Sequence, residues 1–438
     1  MDQNIVRKSS QNMSAYRSYS ERLSSSTWLA KDSALRTVAA KIEICGRRSP
    51  ILARIPRGEG SAAPSRPCAQ HRRPPMSTDA DFLWYIPNQV EPGHRGDAPD
   101  ARHNSLDTLT RHADALEAYG WSGALIGAGW GRPDTFTVAT ALTARTTRFE
   151  PLIAIRPGYW SPANFASAAA TLDHLSGGRV RVNIVSGKDN TAAYGDDEGD
   201  QAQRYGRTKA FMRLVRRLWT EEDVTYAGEH FRVTDSTVQP RIEAKGDRLH
   251  PPLYFGGASA AAEQVAATEA DIQLFWGEPL DGVQDRIARL KALSRDLDRD
   301  LPPLRFGLRI TTLVRDTTEQ AWADAEAKVK EMAKGEGRSW RDFQRPLAVG
   351  QKRLQDLYAR GEVLDDNLYT APAKFGGGGA GSTWLVGSAQ DVARSLRKYQ
   401  DLGVSHFVLS DTPYLPEIKR QGLQLLPLLR ERALELAS

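Results

Sequence analysis

Residues 170–187 read ATLDHLSGGRVRVNIVSG: a helix, a glycine turn and a strand ending in small polar residues. Leu172 and Leu175 close the helix, and Gly177 and Gly178 supply the positive-φ exit that a helix C-terminus favours. Val180, Val182, Ile184 and Val185 then form a β-branched run, the pattern of a strand buried on both faces of a parallel sheet. Asn183, Ser186 and Gly187 therefore fall at that strand's C-terminal end. In a barrel of alternating strands and helices, catalytic groups are placed at that end.

The same alternation runs outward in both directions. Upstream, Phe82–Pro87, Ala124–Ile126 and Leu152–Ile155 read as strands, separated by helices over Leu106–Tyr119 and Thr135–Ala144. Downstream, a helix shows Phe211, Leu214, Val215 and Leu218 at i, i+3, i+4 and i+7, a single apolar face. A short β excursion follows over Val224–Val233, turning at Ala227-Gly228. Strands five to eight are read at Leu253–Phe255, Ile272–Phe275, Arg305–Val314 and Phe407–Ser410. Eight βα units without a second core composition predict one α/β domain, a (β/α)8 TIM barrel. About 90 residues separate strands seven and eight, too many for one crossover helix. That insertion holds two helical patches and the run FGGGGAGS, Phe375–Ser382, after which Ser388 reads as the N-cap of a helix through Tyr399.

Composition narrows the class further. The 438 residues are 40% apolar, enough to fill a large core, and no run of 18 apolar residues predicts a membrane span. The net charge of +5 is unevenly placed: residues 1–75 carry 14 Lys and Arg against 5 Asp and Glu, the remainder 45 against 49. The body is mildly acidic, so no nucleic-acid footprint is expected. Both cysteines, Cys45 and Cys68, lie in the first segment. This excludes a disulfide framework, thiolate metal site or cysteine nucleophile from the body, and no metal is expected. Residues 1–75 are Ser-, Arg- and Pro-rich without an apolar signal region, and read as a disordered extension or a start-site artefact ahead of Met76. The domain is expected over 76–438.

Several stretches carry a resemblance. PPLYFGGAS (251–259), FWGEP (275–279), FGLRITTLVRD (306–316), GGAGSTWLVG (378–387) and FVLSDTP (407–413), with the opening stretch, follow one another in register. Together they resemble the bacterial luciferase-like flavin monooxygenases, and most closely the FMN-dependent alkanesulfonate monooxygenases. The resemblance covers essentially everything after residue 80. It implies a luciferase-like barrel in which reduced FMN is a diffusible co-substrate, reacting with O2 to oxygenate a small organosulfur compound. The reaction implied is desulfonation of an alkanesulfonate to aldehyde and sulfite. A separate NAD(P)H-dependent flavin reductase is the implied partner, and no GxGxxG between a strand and a helix provides a dinucleotide site in the chain itself. A cytoplasmic homo-oligomer, dimer or tetramer, is also implied.

The residues that would carry this chemistry can be named. Gly256-Gly257-Ala258-Ser259 follows a strand and opens a helix, so its N–H groups and the Ser259 hydroxyl suit a phosphate. Spacing alone equally fits a tight βα turn with Ser259 capping the helix. The resemblance assigns Gly257 and Ser259 to the FMN phosphate, Tyr205 to the flavin, and Asn183 and Ser186 to its flanks. Arg309 stands inside the seventh strand, where a lone charge is costly unless paired. It matches an arginine that would hold an anionic group or the oxygenated flavin. An internal salt bridge is the alternative. Trp276 and Trp84 either line a pocket or fill barrel layers. Gly378, Gly379 and Gly381 match a mobile lid that would exclude water.

Five positions depart from the resembling pattern: Arg132 stands in place of a cysteine, Thr311 of a histidine, Thr412 of a tyrosine, Gln89 of a histidine, and a glycine of the lid arginine. Losing the histidine at 311 removes a titratable group, leaving His94 and His174 as possible carriers and Arg132 as a possible reader of an anionic substrate. These departures leave open a sulfone or another substrate, a related flavin- or F420-dependent oxidoreductase, and a non-catalytic flavin-binding barrel.

Overall fold

The computed structural model describes residues 80–86, 100–129, 131–187, 191–196, 200–243, 248–334, 349–375 and 382–430. The extension 1–75, Gln89, His94 and residues 376–381, with their five glycines, lie outside them.

The chain opens with β1 (Asp81–Ile86), α1 (Leu106–Ala118), β2 (Gly123–Ile126), α2 (Thr135–Thr143), β3 (Glu150–Ile155), α3 (Pro162–Ser176) and β4 (Arg181–Ile184). After α4 (Gln201–Thr220), β5 (Val224–Ala227) and β6 (Arg232–Ser236) form the antiparallel excursion. Then come β7 (Leu253–Gly256), α5 (Ala260–Glu269), β8 (Ile272–Trp276), α6 (Leu280–Asp296) and β9 (Arg305–Arg315). The insertion contributes α7 (Thr318–Lys334), α8 (Val349–Arg360), β10 (Val363–Leu364), β11 (Leu368–Tyr369) and β12 (Trp384–Ser388). Last are α9 (Ala389–Asp401), β13 (Val404–Ser410) and α10 (Tyr414–Gln424).

Eight strands close the expected barrel in the order β1-β2-β3-β4-β7-β8-β9-β13, every neighbouring pair parallel. Closure leaves this ring without an edge. Alternation along the strands divides the core in two. Leu83, Leu125, Leu152, Tyr254, Ile272 and Val408 fill the barrel, whereas Phe82, Trp84, Ile153, Val182 and Phe275 pack under the helices. Trp84 therefore neither fills a barrel layer nor lines the cavity at the barrel mouth, but packs under the helices against Trp121, 4.8 Å between ring centroids.

The N-terminal end of the barrel is plugged by charge. Arg181 pairs with Asp81 and Glu150 and meets the Tyr254 hydroxyl at 3.0 Å, and that hydroxyl lies 3.1 Å from His406 Nδ1. Burial pushes Asp81 up, but Arg181 and His406 overcome it and hold the carboxyl well below the usual range.

The opening stretch folds as read. Ser161 caps α3, and Gly177 leaves it at φ 67°, its N–H and that of Gly178 returning to His174 and Asp173 carbonyls. Leu175, however, is exposed, and only Leu172 of the expected pair enters the core. Ser388 caps α9 with a reciprocal bond to Asp391. The insertion also holds three strands that the sequence reading lacks, β10, β11 and β12. β12 pairs in parallel with the outer half of β9, from Trp384↔Thr311 to Ser388↔Arg315, while the inner half pairs with β8. β12 is only five residues long, with three apolar residues in a row, too short for periodicity to separate strand from loop.

Candidate active site

A cavity of about 820 Å3 opens at the C-terminal ends of the barrel strands. Strand parity separates the two polar residues at the end of β4, although Ile184 and Phe275, of the outward parity, also touch the lining. Asn183 on β4 and Val185 just beyond it face inward; Asn183 is buried, and its Oδ1 has no hydrogen-bond partner among the described residues. Ser186 has the opposite parity. Its hydroxyl sits 2.7 Å from Thr208 on α4, and it is not among the lining residues. Tyr205, in the second turn of α4, does line the cavity and meets Phe255 edge to face.

The turn after β7 forms one wall. Ser259 is the N-cap of α5 and accepts from the Ala262 N–H at 3.2 Å, so the capping expectation is met while the residue still faces the cavity. An added Cβ at Gly257 would fall 2.5 Å from that of Ala262, so only glycine fits this approach of turn to helix. Arg286 braces the turn from behind: it donates to the Gly257 carbonyl, to Glu263 at 3.0 Å and to Glu278.

Two strands further round, Arg309 projects from β9. Its guanidinium carbon lies 4.1 Å from the centroid of the Tyr85 ring, a cation–π contact. Trp276 ends β8 beside it in register, and its Nε1 is buried without a hydrogen-bond partner among the described residues. Arg132 reaches the cavity from the loop after β2 and is half-buried. Of the expected site residues, the structure thus gathers Asn183, Tyr205, Gly257, Ser259, Arg132, Trp276 and Arg309. Ser186 stands behind them, and Gly378, Gly379 and Gly381 lie outside the described residues.

The departures resolve differently. Thr311 is buried two residues beyond Arg309 on the same strand face. Thr412 accepts from Lys328 through its carbonyl and hydroxyl, at 2.7 and 3.1 Å. His174 is a half-exposed residue of the last turn of α3, 3.5 Å from Glu243, and lines no part of the cavity.

Among the lining residues that escaped the sequence reading, Tyr85, Arg156 and Arg353 carry polar groups into the cavity wall. Tyr85 follows Leu83 on the inward face of β1, a parity the pattern contains. Arg156 ends the apolar run of the third strand as a lone charge, the signal that drew attention to Arg309, and donates to the Gly187 carbonyl. Arg353 comes from α8 and had no local signal. Among the described residues there is no group of metal-ligating side chains, and no helix long and apolar enough to cross a membrane.

A closed parallel barrel whose mouth joins a capped glycine turn, an unsatisfied buried amide and strand-borne arginines defines a small-molecule enzyme of the (β/α)8 class. A sequence profile for the luciferase-like monooxygenases matches residues 80–406, and the chain belongs to that family. Solved structures agree in fold. A riboflavin lyase, crystallised with modified FMN and riboflavin, aligns at 19% identity and TM-score 0.63 over 81% of this chain and 92% of its own. An EDTA monooxygenase from Chelativorans sp. BNC1 gives 18% and 0.65 over 81% and 94%. A long-chain alkane monooxygenase gives 15% and 0.64 over 82% and 92%. At such identities the likeness is one of fold, and the substrates named differ widely.

Proposed function

We propose that the protein is the oxygenase of a two-component system. In this reading, reduced FMN from a separate NAD(P)H-dependent flavin reductase and O2 act on a small organosulfur compound, an alkanesulfonate first. The observation that carries it is the presence in one cavity of an anion-suited turn at Gly256–Ser259 and, two strands away, the strand-borne Arg309.

The residues fit an FMN. Turn N–H groups at the start of α5 would hold the phosphate, helped by the Ser259 hydroxyl, whose proton is still available to donate. Asn183 Oδ1, buried and unsatisfied, would accept from a ring N–H, and Tyr205 would flank the flavin. When bound, reduced FMN supplies the two electrons that activate O2. Arg309 would hold the sulfonate, its fork of donors suited to a planar pair of oxygens. Tyr85, Leu274 and Trp276 would keep water from the reacting carbon. The reaction balances as alkanesulfonate, O2 and reduced FMN giving aldehyde, bisulfite, FMN and water; the C–S bond breaks and one oxygen atom enters each of the aldehyde and the water. The described lining residues include no histidine, so protons travel by another carrier.

The test supplies the full chain with a flavin reductase, NADH, FMN and O2, and measures sulfite released from a panel of alkanesulfonates. Sulfite above the reductase-only control supports desulfonation. Oxygenated products from sulfones alone would move the assignment to that class, and no product from either would overturn it.

A further inference from the structure

The wall of the cavity nearest the insertion is built on a single shared carboxylate. Glu278 follows β8 and is almost completely buried. Its Oε1 accepts from both Arg286, on α6, and Arg353, on α8. Arg286 continues to the Gly257 carbonyl of the anion-suited turn, and Arg353 to the Trp276 carbonyl at 2.6 Å. One unbroken chain of charged hydrogen bonds therefore runs from the turn to α8.

α8 is the described part of the insertion that overhangs the cavity. Val349, Gly350 and Arg353 line it, and Leu354 and Leu357 pack with Trp276 and Ala373. Both terminal nitrogens of Arg353 are spent on Glu278 and Trp276, so this side chain docks the helix and is not placed to read a ligand. Around the turn, Arg286, Arg289 and Arg353 meet two carboxylates, Glu263 and Glu278. Asp285 also acts on Arg289, so three carboxylates face three guanidinium groups, with Arg286 and Arg353 sharing Glu278. Burial pushes the Arg353 guanidinium below its usual range; Glu278 opposes this and Arg286 adds to it. An anion at the turn would relieve that repulsion.

We propose that Glu278 is a positioning residue coupling α8 to the turn, so that a flavin phosphate bound at Gly256–Ser259 holds α8 down over the cavity. The inference rests on the FMN reading of the turn. It makes the phosphate, remote from the reacting ring, a signal that the site is filled, and lets the enzyme discriminate FMN from riboflavin through closure as well as affinity.

The test follows hydrogen exchange of the α8 amides in the full chain with saturating FMN and, separately, saturating riboflavin, which lacks the phosphate. Binding of each is measured independently by quenching of flavin fluorescence. FMN should slow exchange in α8 by about fivefold or more, as an energetic coupling between sites requires, and riboflavin should not. Glu278→Gln should bind FMN yet lose the slowing. If that variant fails to fold, Arg353→Met serves instead, because Glu278 then keeps Arg286; Arg353→Lys should recover part of the effect. Equal slowing by riboflavin, or full slowing in Glu278→Gln or Arg353→Met, would overturn the coupling while leaving the FMN reading intact. Failure of FMN to bind at all would overturn both.

Discussion

Arg309 and Tyr85, from β9 and β1, are held together across the strand between them, the guanidinium 4.1 Å from the phenol ring centroid. The ring fixes the plane of a half-buried guanidinium at the cavity wall, where the proposed function has it meet the anionic group. Replacing Arg309 with Ala should lower turnover on the order of 100-fold, the usual cost of one preorganised donor, with FMN affinity near normal. Tyr85→Leu should give a smaller loss, because the charge stays and only its orientation is freed. Steady-state rates at saturating FMN, beside fluorescence titration, separate the two effects. A fully active Arg309→Ala enzyme would remove Arg309 from the reaction.

Ser259 allows an unusually clean test of the phosphate site. It caps α5 by accepting from the Ala262 N–H, and aspartate caps a helix as well as serine does. Ser259→Asp should therefore leave thermal stability nearly unchanged while setting a negative charge against the phosphate. FMN affinity should drop by at least about tenfold, equivalent to roughly 1.4 kcal/mol, and riboflavin affinity should not. An equal drop for both flavins would place the phosphate elsewhere.

Asn183 and Ser186 sit three residues apart and face opposite ways. Asn183→Leu should cost flavin affinity, since its unsatisfied oxygen faces the cavity. Ser186→Ala should instead cost stability, about 1 kcal/mol for a lost buried hydrogen bond to Thr208, with flavin binding unchanged. A titration showing the reverse pattern would mean that strand parity does not govern this wall.

That pair also marks how far the sequence could be read. The barrel was legible because eight short apolar runs alternate with amphipathic helices, and the Gly257-Ala258-Ser259 turn because its composition is local. The same period of two, applied past the end of β4, separates Ser186 from Asn183 and places Tyr85 inside and Trp84 outside. Arg353 was beyond reach. It meets the Trp276 carbonyl from 77 residues away, through an insertion whose path no local pattern specifies.

Two buried groups tie stability to pH in opposite senses. Burial pushes the Glu417 carboxyl up to about 7, with Asp411 adding to it and Arg315, Arg420 and Lys328 opposing. An unfolded chain releases that proton near 4.5, so between these values the folded state binds more protons and stability falls as pH rises. At the other end of the barrel, burial holds His406 below its ordinary 6.5, against the pull of Asp81. There the unfolded chain takes up a proton that the folded ring refuses, and stability falls as pH drops below 6.5. Glu417→Gln fixes the neutral form and should erase the first slope alone. Its unfolding midpoint in guanidinium, relative to the unmodified chain, should therefore rise between about pH 5 and about pH 8, by an amount on the order of 1–2 kcal/mol in stability. A difference that is the same at both pH values would mean that Glu417 is already ionised at the lower one, held there by Arg315 and Arg420.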